Sequence, residues 1–69
     1  MATGTVKWFN TTKGFGFIAP DAGGSDVFVH ISAVERAGLT GLADNQKVEY
    51  DLREGRDGRS SASELKLLD

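Results

Sequence analysis

The chain has 69 residues, one histidine and no cysteine. This length fits one small domain over residues 1–69, and the composition excludes disulfide staples and metal sites built from several histidine or cysteine ligands. No apolar run approaches the roughly 18 residues of a membrane span, and no charged segment followed by an apolar one opens the chain. We therefore expect a cytoplasmic protein with no membrane partner.

The charge balance is slightly acidic. Eight lysine and arginine residues stand against ten aspartate and glutamate residues, which gives a net charge of −2 and a pI near 5.2. This counts against an ordinary DNA-binding protein, since such proteins are usually basic. Residues 1–20, however, contain Lys7 and Lys13 and no acidic side chain. Nucleic-acid binding by this chain would therefore depend more on stacking than on a strong positive field.

Turn-forming residues divide the chain into short segments that resemble strands. The predicted strands cover about residues 4–10, 14–19, 26–31, 46–54 and 61–68, and residues 32–37 form the only helical candidate. The connection from the third strand to the fourth is longer than the others. An all-β fold is therefore predicted, a small five-stranded antiparallel OB-type barrel with one short helical turn after strand 3, because closure removes exposed strand edges.

The first strand does not fit the regular alternation of side chains between its two faces. Val6 and Trp8 share a face in a regular strand, yet we expect Val6 in the core and Trp8 at the surface. A bulge or sharp bend near Lys7 would place them on opposite faces, as barrels often require. From periodicity alone, Trp8 is equally consistent with a core anchor.

Alternation in the second and third strands separates aliphatic side chains from rings. The aliphatic set is Ile18, Val27 and Val29, with Ile31 continuing it, and the ring set is Phe15, Phe17, Phe28 and His30. Most phenylalanines lie in cores, but burying these rings would push the aliphatic set outward. We therefore expect the rings on the surface. A contiguous outward patch of rings indicates a partner, and a nucleobase offers the flat face on which rings stack.

The last two strands show the same alternation. Val48, Tyr50 and Leu52 alternate with charged residues, which is a half-buried strand pattern. Leu65 and Leu67 are likewise predicted to share one face. An Asp-Gly step within residues 55–58 predicts the hairpin turn between the two strands.

Three motifs, in this order and spacing, resemble the bacterial cold-shock protein family. They are Lys7-Trp8-Phe9-Asn10, residues 13–18 and Val27-Phe28-Val29-His30, and the last two are similar to the RNA-binding signatures RNP1 and RNP2. The resemblance runs almost end to end. It implies an OB-fold barrel that binds single-stranded RNA and DNA with little sequence preference, acting as an RNA chaperone and as a regulator of transcription and translation.

The resemblance also implies roles for individual residues. Bases would stack on Trp8, Phe15, Phe17, Phe28 and His30. Lys7 and Lys13 would contact phosphates, although most lysines are simply solubilising surface charges. Asp26 would accept a hydrogen bond from a base amino group. Arg56 is a further candidate contact; for it, as for Arg59, a solvated place beside the hairpin turn is the alternative.

Two positions depart from the family pattern. The family often has a phenylalanine directly after the RNP2 histidine, where this chain has Ile31, and another aromatic residue in the loop before the fourth strand, where Leu39 stands. Both changes remove a possible stacking surface. The class of ligand is unaffected, whereas affinity and base preference are expected to differ.

No catalytic arrangement is apparent, because one histidine and no cysteine leave few nucleophile–base pairs. We expect a protein that is not an enzyme, with no cofactor, metal or small-molecule substrate. A monomer is expected, with dimerisation through an unpaired strand edge left open. The alternative function is a small β-barrel interaction module that grips a peptide with its aromatic patch. The acidic pI slightly favours that alternative, and the Lys-Gly-Phe-Gly-Phe run disfavours it.

Overall fold

The computed structural model describes residues 2–55 and 60–68. Its elements are β1 (Ala2–Asn10), β2 (Phe15–Pro20), β3 (Val27–His30), α1 (Ile31–Arg36), β4 (Lys47–Glu54) and β5 (Ser60–Leu67). The five predicted strands and the helical turn are confirmed, with ends that differ by one or two residues. Ile31, predicted as the last residue of the third strand, instead begins α1.

The strands form a closed barrel in the order β1–β2–β3–β5–β4, which confirms the predicted OB-type architecture. Neighbouring strands run antiparallel except for β3 and β5, which are parallel and join at Phe28 and Ser61. A ring of five strands cannot alternate direction all the way round, so one neighbouring pair has to be parallel. The parallel pair closes the barrel beside the rings of β3.

The barrel interior is filled by aliphatic side chains and one tyrosine. Ile18, Val27 and Val29, which alternation predicted in the core, are each at most 2% exposed. The other buried side chains are Val6, Ala33, Val34, Val48, Tyr50, Ala62 and Leu65. Because the insides of β2 and β3 are occupied in this way, the alternate residues of both strands must face outward.

Two leucines of the last hairpin are more exposed than the alternation predicted. Leu52 is 53% exposed and Leu67 41%, whereas Leu65 is buried. The register between β4 and β5 shifts between Glu49 and Asp51, and Glu64 has a left-handed φ of 54°. This bulge breaks the period of two along β5. Leu52 is one of the residues that line a cavity of about 380 Å³.

The parity problem in β1 is solved by the predicted bulge. Val6 lies opposite Ile18 and Trp8 opposite Phe17, so that Lys7 is an extra residue with no partner of its own in the register. On its other side, Val6 exchanges backbone hydrogen bonds with the connection to β4: its N–H donates to the carbonyl of Gln46 at 2.8 Å, and its carbonyl accepts from the N–H of Asn45 at 2.7 Å. The bulge buries Val6 completely and leaves Trp8 40% exposed.

Candidate nucleic-acid interface

Five ring side chains of β1, β2 and β3 meet on one outward face of the barrel, while the Phe9 ring of β1 packs against the core. We call them the aromatic platform: Trp8, Phe15, Phe17, Phe28 and His30. The centroid of Phe17 lies 5.5 Å from that of Trp8 and 5.8 Å from that of Phe28. Phe15 lies 5.6 Å from Trp8 and 5.7 Å from Phe28, and His30 lies 6.4 Å from Phe28. The five rings therefore form one contiguous surface.

The strand register sets the order of these rings. Trp8, Phe17 and Phe28 lie side by side on the three neighbouring strands, and Phe15 lies opposite His30 in the next row. The three phenylalanines are half-buried among one another, while Trp8 and His30 are exposed. Their outward face agrees with the alternation argument, and their contact with bases stays a prediction.

Most ring pairs in the platform meet edge to face. The exceptions are Phe15–Phe28 and Phe28–His30, with planes inclined by 26° and 36°, whereas the planes of Trp8 and Phe17 are inclined by 63°. Edge-to-face and offset pairs of this kind stabilise by about 0.5–1.5 kcal/mol each beyond the area they bury. The rings therefore hold one another in place, with Trp8 and His30 exposed and the three phenylalanines half-buried.

Gly16 lets the first two strands approach beneath the platform. A Cβ atom at this position would lie 2.4 Å from the carbonyl oxygen of Trp8 and 2.7 Å from the Phe9 ring. A side chain there would force β1 away from β2 at the bulge. The glycine between Phe15 and Phe17 is thus required by the packing that brings Trp8 next to Phe17.

The orientation of His30 is fixed from the helix that follows. His30 is the N-cap of α1, and its Nδ1 accepts a hydrogen bond from the backbone N–H of Ser32 at 3.1 Å. Nδ1 also lies 3.0 Å from Oγ of Ser32. Because Nδ1 is the acceptor, the neutral ring carries its proton on Nε2. Ser32 therefore orients the His30 ring, a role that the sequence reasoning missed. The sequence signal for this role is a serine two residues after a side chain that can cap a helix.

Lys7 and Asp26, both predicted to contact the ligand, contact each other. Nζ of Lys7 lies 3.0 Å from Oδ2 of Asp26, and the two side chains are 50% and 41% exposed. The pair connects the β1 bulge to Asp26, the residue just before β3. Lys7 directly precedes Trp8 in the chain. An exposed pair of this kind contributes little to stability and opens readily.

Lys13 lies at the other end of the platform, in the turn between β1 and β2. Its backbone N–H donates to Oδ1 of Asn10 at 2.9 Å, and the N–H of Gly14 donates to the carbonyl of Asn10 at 2.8 Å. Gly14 has a φ of 83°, a conformation that favours glycine. Asn10 therefore holds the turn, and the Lys13 side chain is exposed two residues before Phe15. No Lys13 ion pair occurs within residues 2–55 and 60–68.

A second ion pair starts from the same loop as the first. Nζ of Lys47 lies 2.7 and 2.8 Å from the two carboxylate oxygens of Asp21, and the hydroxyl of Thr3 donates to Oδ2 of Asp21 at 3.0 Å. The hydrogen bonds from Lys47 and then Thr3 lower the pKa of the Asp21 carboxyl. This network ties the loop after β2 to β1 and β4. Sequence reasoning did not find it.

The remaining predicted positions fall in different places. Ile31 is half-buried and its Cγ2 packs toward Gly14, while its N–H donates to the Gly14 carbonyl at 2.9 Å. Leu39 is half-buried and packs against the core cluster. Arg56, together with Arg59, lies outside the described residues.

Within residues 2–55 and 60–68, no group of three or more histidine, cysteine, aspartate or glutamate side chains could hold a metal ion. No helix among these residues has the length and apolar composition that crossing a membrane requires.

Comparison with known sequences supplies a family and several relatives. The family model of the 'Cold-shock' DNA-binding domain matches residues 2–68. A probable cold shock protein, y4cH, from Sinorhizobium fredii is 67% identical over 66 residues, which cover 94% of this chain and 96% of the relative. Cold shock protein CspA from Rhizobium meliloti is 63% identical, with 96% and 97% covered. Cold shock-like protein CspE from Escherichia coli K12 is 50% identical, with 93% of each chain covered.

Proposed function

Since this chain belongs to the 'Cold-shock' DNA-binding domain family, a family of nucleic-acid-binding proteins, we propose that it binds single-stranded RNA and DNA with little sequence preference. The observation that carries the proposal is the aromatic platform, whose rings lie within 6.4 Å of a neighbouring ring on three adjacent strands. Every base has a face that stacks on an aromatic ring, so a platform of rings tolerates any sequence. A base in a duplex has its faces covered by its neighbours. The platform therefore selects unpaired strands.

Stacking supplies most of the affinity. One base–aromatic stack contributes about 1–3 kcal/mol, and the platform offers several faces. The rings are already packed against one another, so binding orders few side chains. This pre-organisation lowers the entropic cost of association.

The cationic contribution is small. Lys13, exposed beside Phe15, contacts a phosphate, and Lys7 does so once it leaves Asp26. The carboxylate thus released accepts a hydrogen bond from a base. Arg56, outside the described residues, is proposed as a further contact.

Binding of unpaired strands also gives the protein an RNA chaperone activity. A protein that binds the open form of a hairpin and not the closed form shifts the equilibrium toward the open form by mass action. Weak hairpins are melted at protein concentrations well above the dissociation constant, and strong duplexes are left intact. The same opening would change the access of polymerase or ribosome to a transcript, which is the basis of the proposed regulation of transcription and translation in the cytoplasm. No enzymatic step is needed for any of this.

A fluorescence titration tests the proposal. Trp8, 40% exposed within the platform, serves as the reporter, and its emission should be quenched by an unstructured oligothymidine with a site size of about 4–16 nucleotides. A blunt duplex of equal length should bind far more weakly. Equal affinity for the two would refute the stacking mechanism.

The same titration separates the proposal from the peptide-binding alternative. A proline-rich peptide should leave Trp8 emission unchanged. Saturable quenching by the peptide but not by oligothymidine would instead identify a protein-interaction module.

A further inference from the structure

In the Lys7–Asp26 ion pair, a carboxylate binds the ammonium group of a lysine that directly precedes Trp8 of the aromatic platform. The first 20 residues offer two side-chain cations, Lys7 and Lys13, and the structure places the Lys7 ammonium 3.0 Å from a carboxylate that belongs to the loop before β3. A carboxylate and a phosphate present the same kind of oxygen acceptor to an ammonium. Asp26 is therefore an internal competitor for any phosphate that approaches Lys7.

Different ligands compensate differently for the opening of this pair. An unpaired strand stacked beside Trp8 brings a phosphate for Lys7 and base N–H groups for the released Asp26. The base-pairing N–H groups of a duplex are already engaged, and another polyanion brings only phosphates or sulfates, so Asp26 is left as an uncompensated negative charge facing them. Like charges in contact disfavour the wrong partner.

We propose that Asp26 is a specificity-determining residue. By holding Lys7 in an ion pair, it favours ligands with exposed bases over anionic ligands that have no exposed bases. The inference rests on the proposed single-strand binding and concerns a different quantity, namely the ratio of affinities for single strand and duplex. The exposure of both side chains, 50% and 41%, makes the pair accessible to an incoming ligand. Its net attraction is small enough to be reversed by a ligand that replaces both contacts.

The same loop supplies a matched control. Asp21 also pairs with a lysine, Lys47, at 2.7 Å, and its side chain is 40% exposed. Asp26→Asn and Asp21→Asn change the net charge by the same amount and remove the same kind of pair. The lysine that pairs with Asp21 lies on β4, and the β1 residue that donates to Asp21 is Thr3, five residues from Trp8, whereas the lysine that pairs with Asp26 directly precedes Trp8.

The experiment measures the affinity of the full chain for fluorescein-labelled oligothymidine, for a labelled duplex of equal length and for heparin. Asp26→Asn should tighten duplex and heparin binding about two- to fivefold at low salt, the range of an exposed ion pair, and should not tighten oligothymidine binding, because the hydrogen bond that the Asp26 carboxylate accepts from a base is weakened in the same variant. Its log–log salt slope on duplex should steepen by about 0.9, one additional phosphate contact. Asp21→Asn should change duplex binding little. Thermal unfolding by circular dichroism verifies that each variant is folded at the temperature of measurement.

A second variant tests the route through Lys7. In a Lys7→Gln background, Asp26→Asn should no longer tighten duplex binding, because the cation it releases is absent. Equal gains on duplex from Asp26→Asn and Asp21→Asn would overturn the proposal, since net charge would then explain the effect. So would an equal gain by Asp26→Asn on duplex and oligothymidine. Failure of the proposed function itself is seen separately, as equal affinities of the wild-type protein for duplex and single strand.

Discussion

Phe17 is the position at which the stacking mechanism is tested most directly. Its ring lies at the centre of the platform, 5.5 Å from Trp8, 6.4 Å from Phe15 and 5.8 Å from Phe28. Phe17→Ala removes one stacking face and the edge support of three neighbours. We expect single-strand binding to weaken by about 1–3 kcal/mol, or about 5- to 150-fold in dissociation constant.

The stability cost of this substitution should be modest. Phe17 is half-buried, so its burial stabilises the fold by only part of the roughly 1.5–3 kcal/mol that full burial of a large apolar side chain contributes. Adding part of the ring contacts, we expect a loss of about 1–2 kcal/mol in the free energy of unfolding. Emptying a core phenylalanine site would cost about 3–5 kcal/mol.

Two further variants make the comparison decisive. Phe17→Leu keeps most of the apolar volume and removes the ring, so it should lose binding while losing less stability than the alanine variant. Ile18→Val, one residue along on the opposite face and fully buried, should cost about 0.5–1.5 kcal/mol of stability and leave binding unchanged.

The assay is a titration with fluorescein-labelled oligothymidine, with stability taken from urea unfolding followed by circular dichroism. Binding is measured at a temperature at which every variant is folded. If Phe17→Ala unfolds the protein as a core substitution would, while its folded fraction binds normally, the ring belongs to the core and the platform is misassigned. Normal binding by Phe17→Leu would likewise show that apolar bulk, and not an aromatic face, is what the ligand contacts.

Three further predictions use the same assays. The log–log salt slope for single-strand binding should be about −1.5 to −3, for 2–4 phosphate contacts, and Lys13→Gln should make it shallower by about 0.7; a wild-type slope steeper than about −5 would contradict the account. Ile31→Phe or Leu39→Phe should tighten binding by adding a ring, and no gain from either would mean that these side chains do not face the ligand. The hydrogen bonds from Lys47 and Thr3 lower the folded-state pKa of Asp21, so the contribution of Asp21 to stability is present above the unfolded pKa and is lost as pH falls below about 4. Urea unfolding between pH 3 and 6 should show this loss in the wild type and not in Asp21→Asn.

The barrel and the platform could be predicted because their pattern has a period of two. Ile18 and Val29 had to face the core once β2 and β3 were recognised as strands, and Phe15 and Phe17 then had to face outward. Periodicity alone left Trp8 equally consistent with a core anchor. The resemblance to the cold-shock family implied a surface Trp8, and a bulge near Lys7 was then expected, since Val6 and a surface Trp8 cannot share a face in a regular strand.

The reasoning failed where the period was broken without such a contradiction. The bulge at Glu64 places no residue of obviously wrong character on either face, so the alternation of Leu65 and Leu67 seemed regular. Side-chain pairing was equally beyond reach. Nothing in the order of residues shows that Lys7 meets Asp26, because that contact depends on how the loop before β3 lies across β2.

The two ion pairs bear on how an acidic protein holds a polyanion. Both carboxylates of the loop between β2 and β3, Asp21 and Asp26, contact lysines of other strands at 2.7 and 3.0 Å. Opposite charges in contact cancel much of each other's field at distances large compared with their separation, and salt screens what remains beyond the Debye length, about 8–10 Å near physiological salt. The face that carries the rings therefore repels a nucleic acid less than the net charge of −2 suggests. The same face attracts a nucleic acid less strongly than two unpaired lysines would. On the proposed mechanism, binding is therefore decided at short range, where a base contacts a ring. On the proposed mechanism, that balance favours strands with open bases over a duplex or heparin, and Asp26→Asn, which releases Lys7 in the free protein, should reduce the preference.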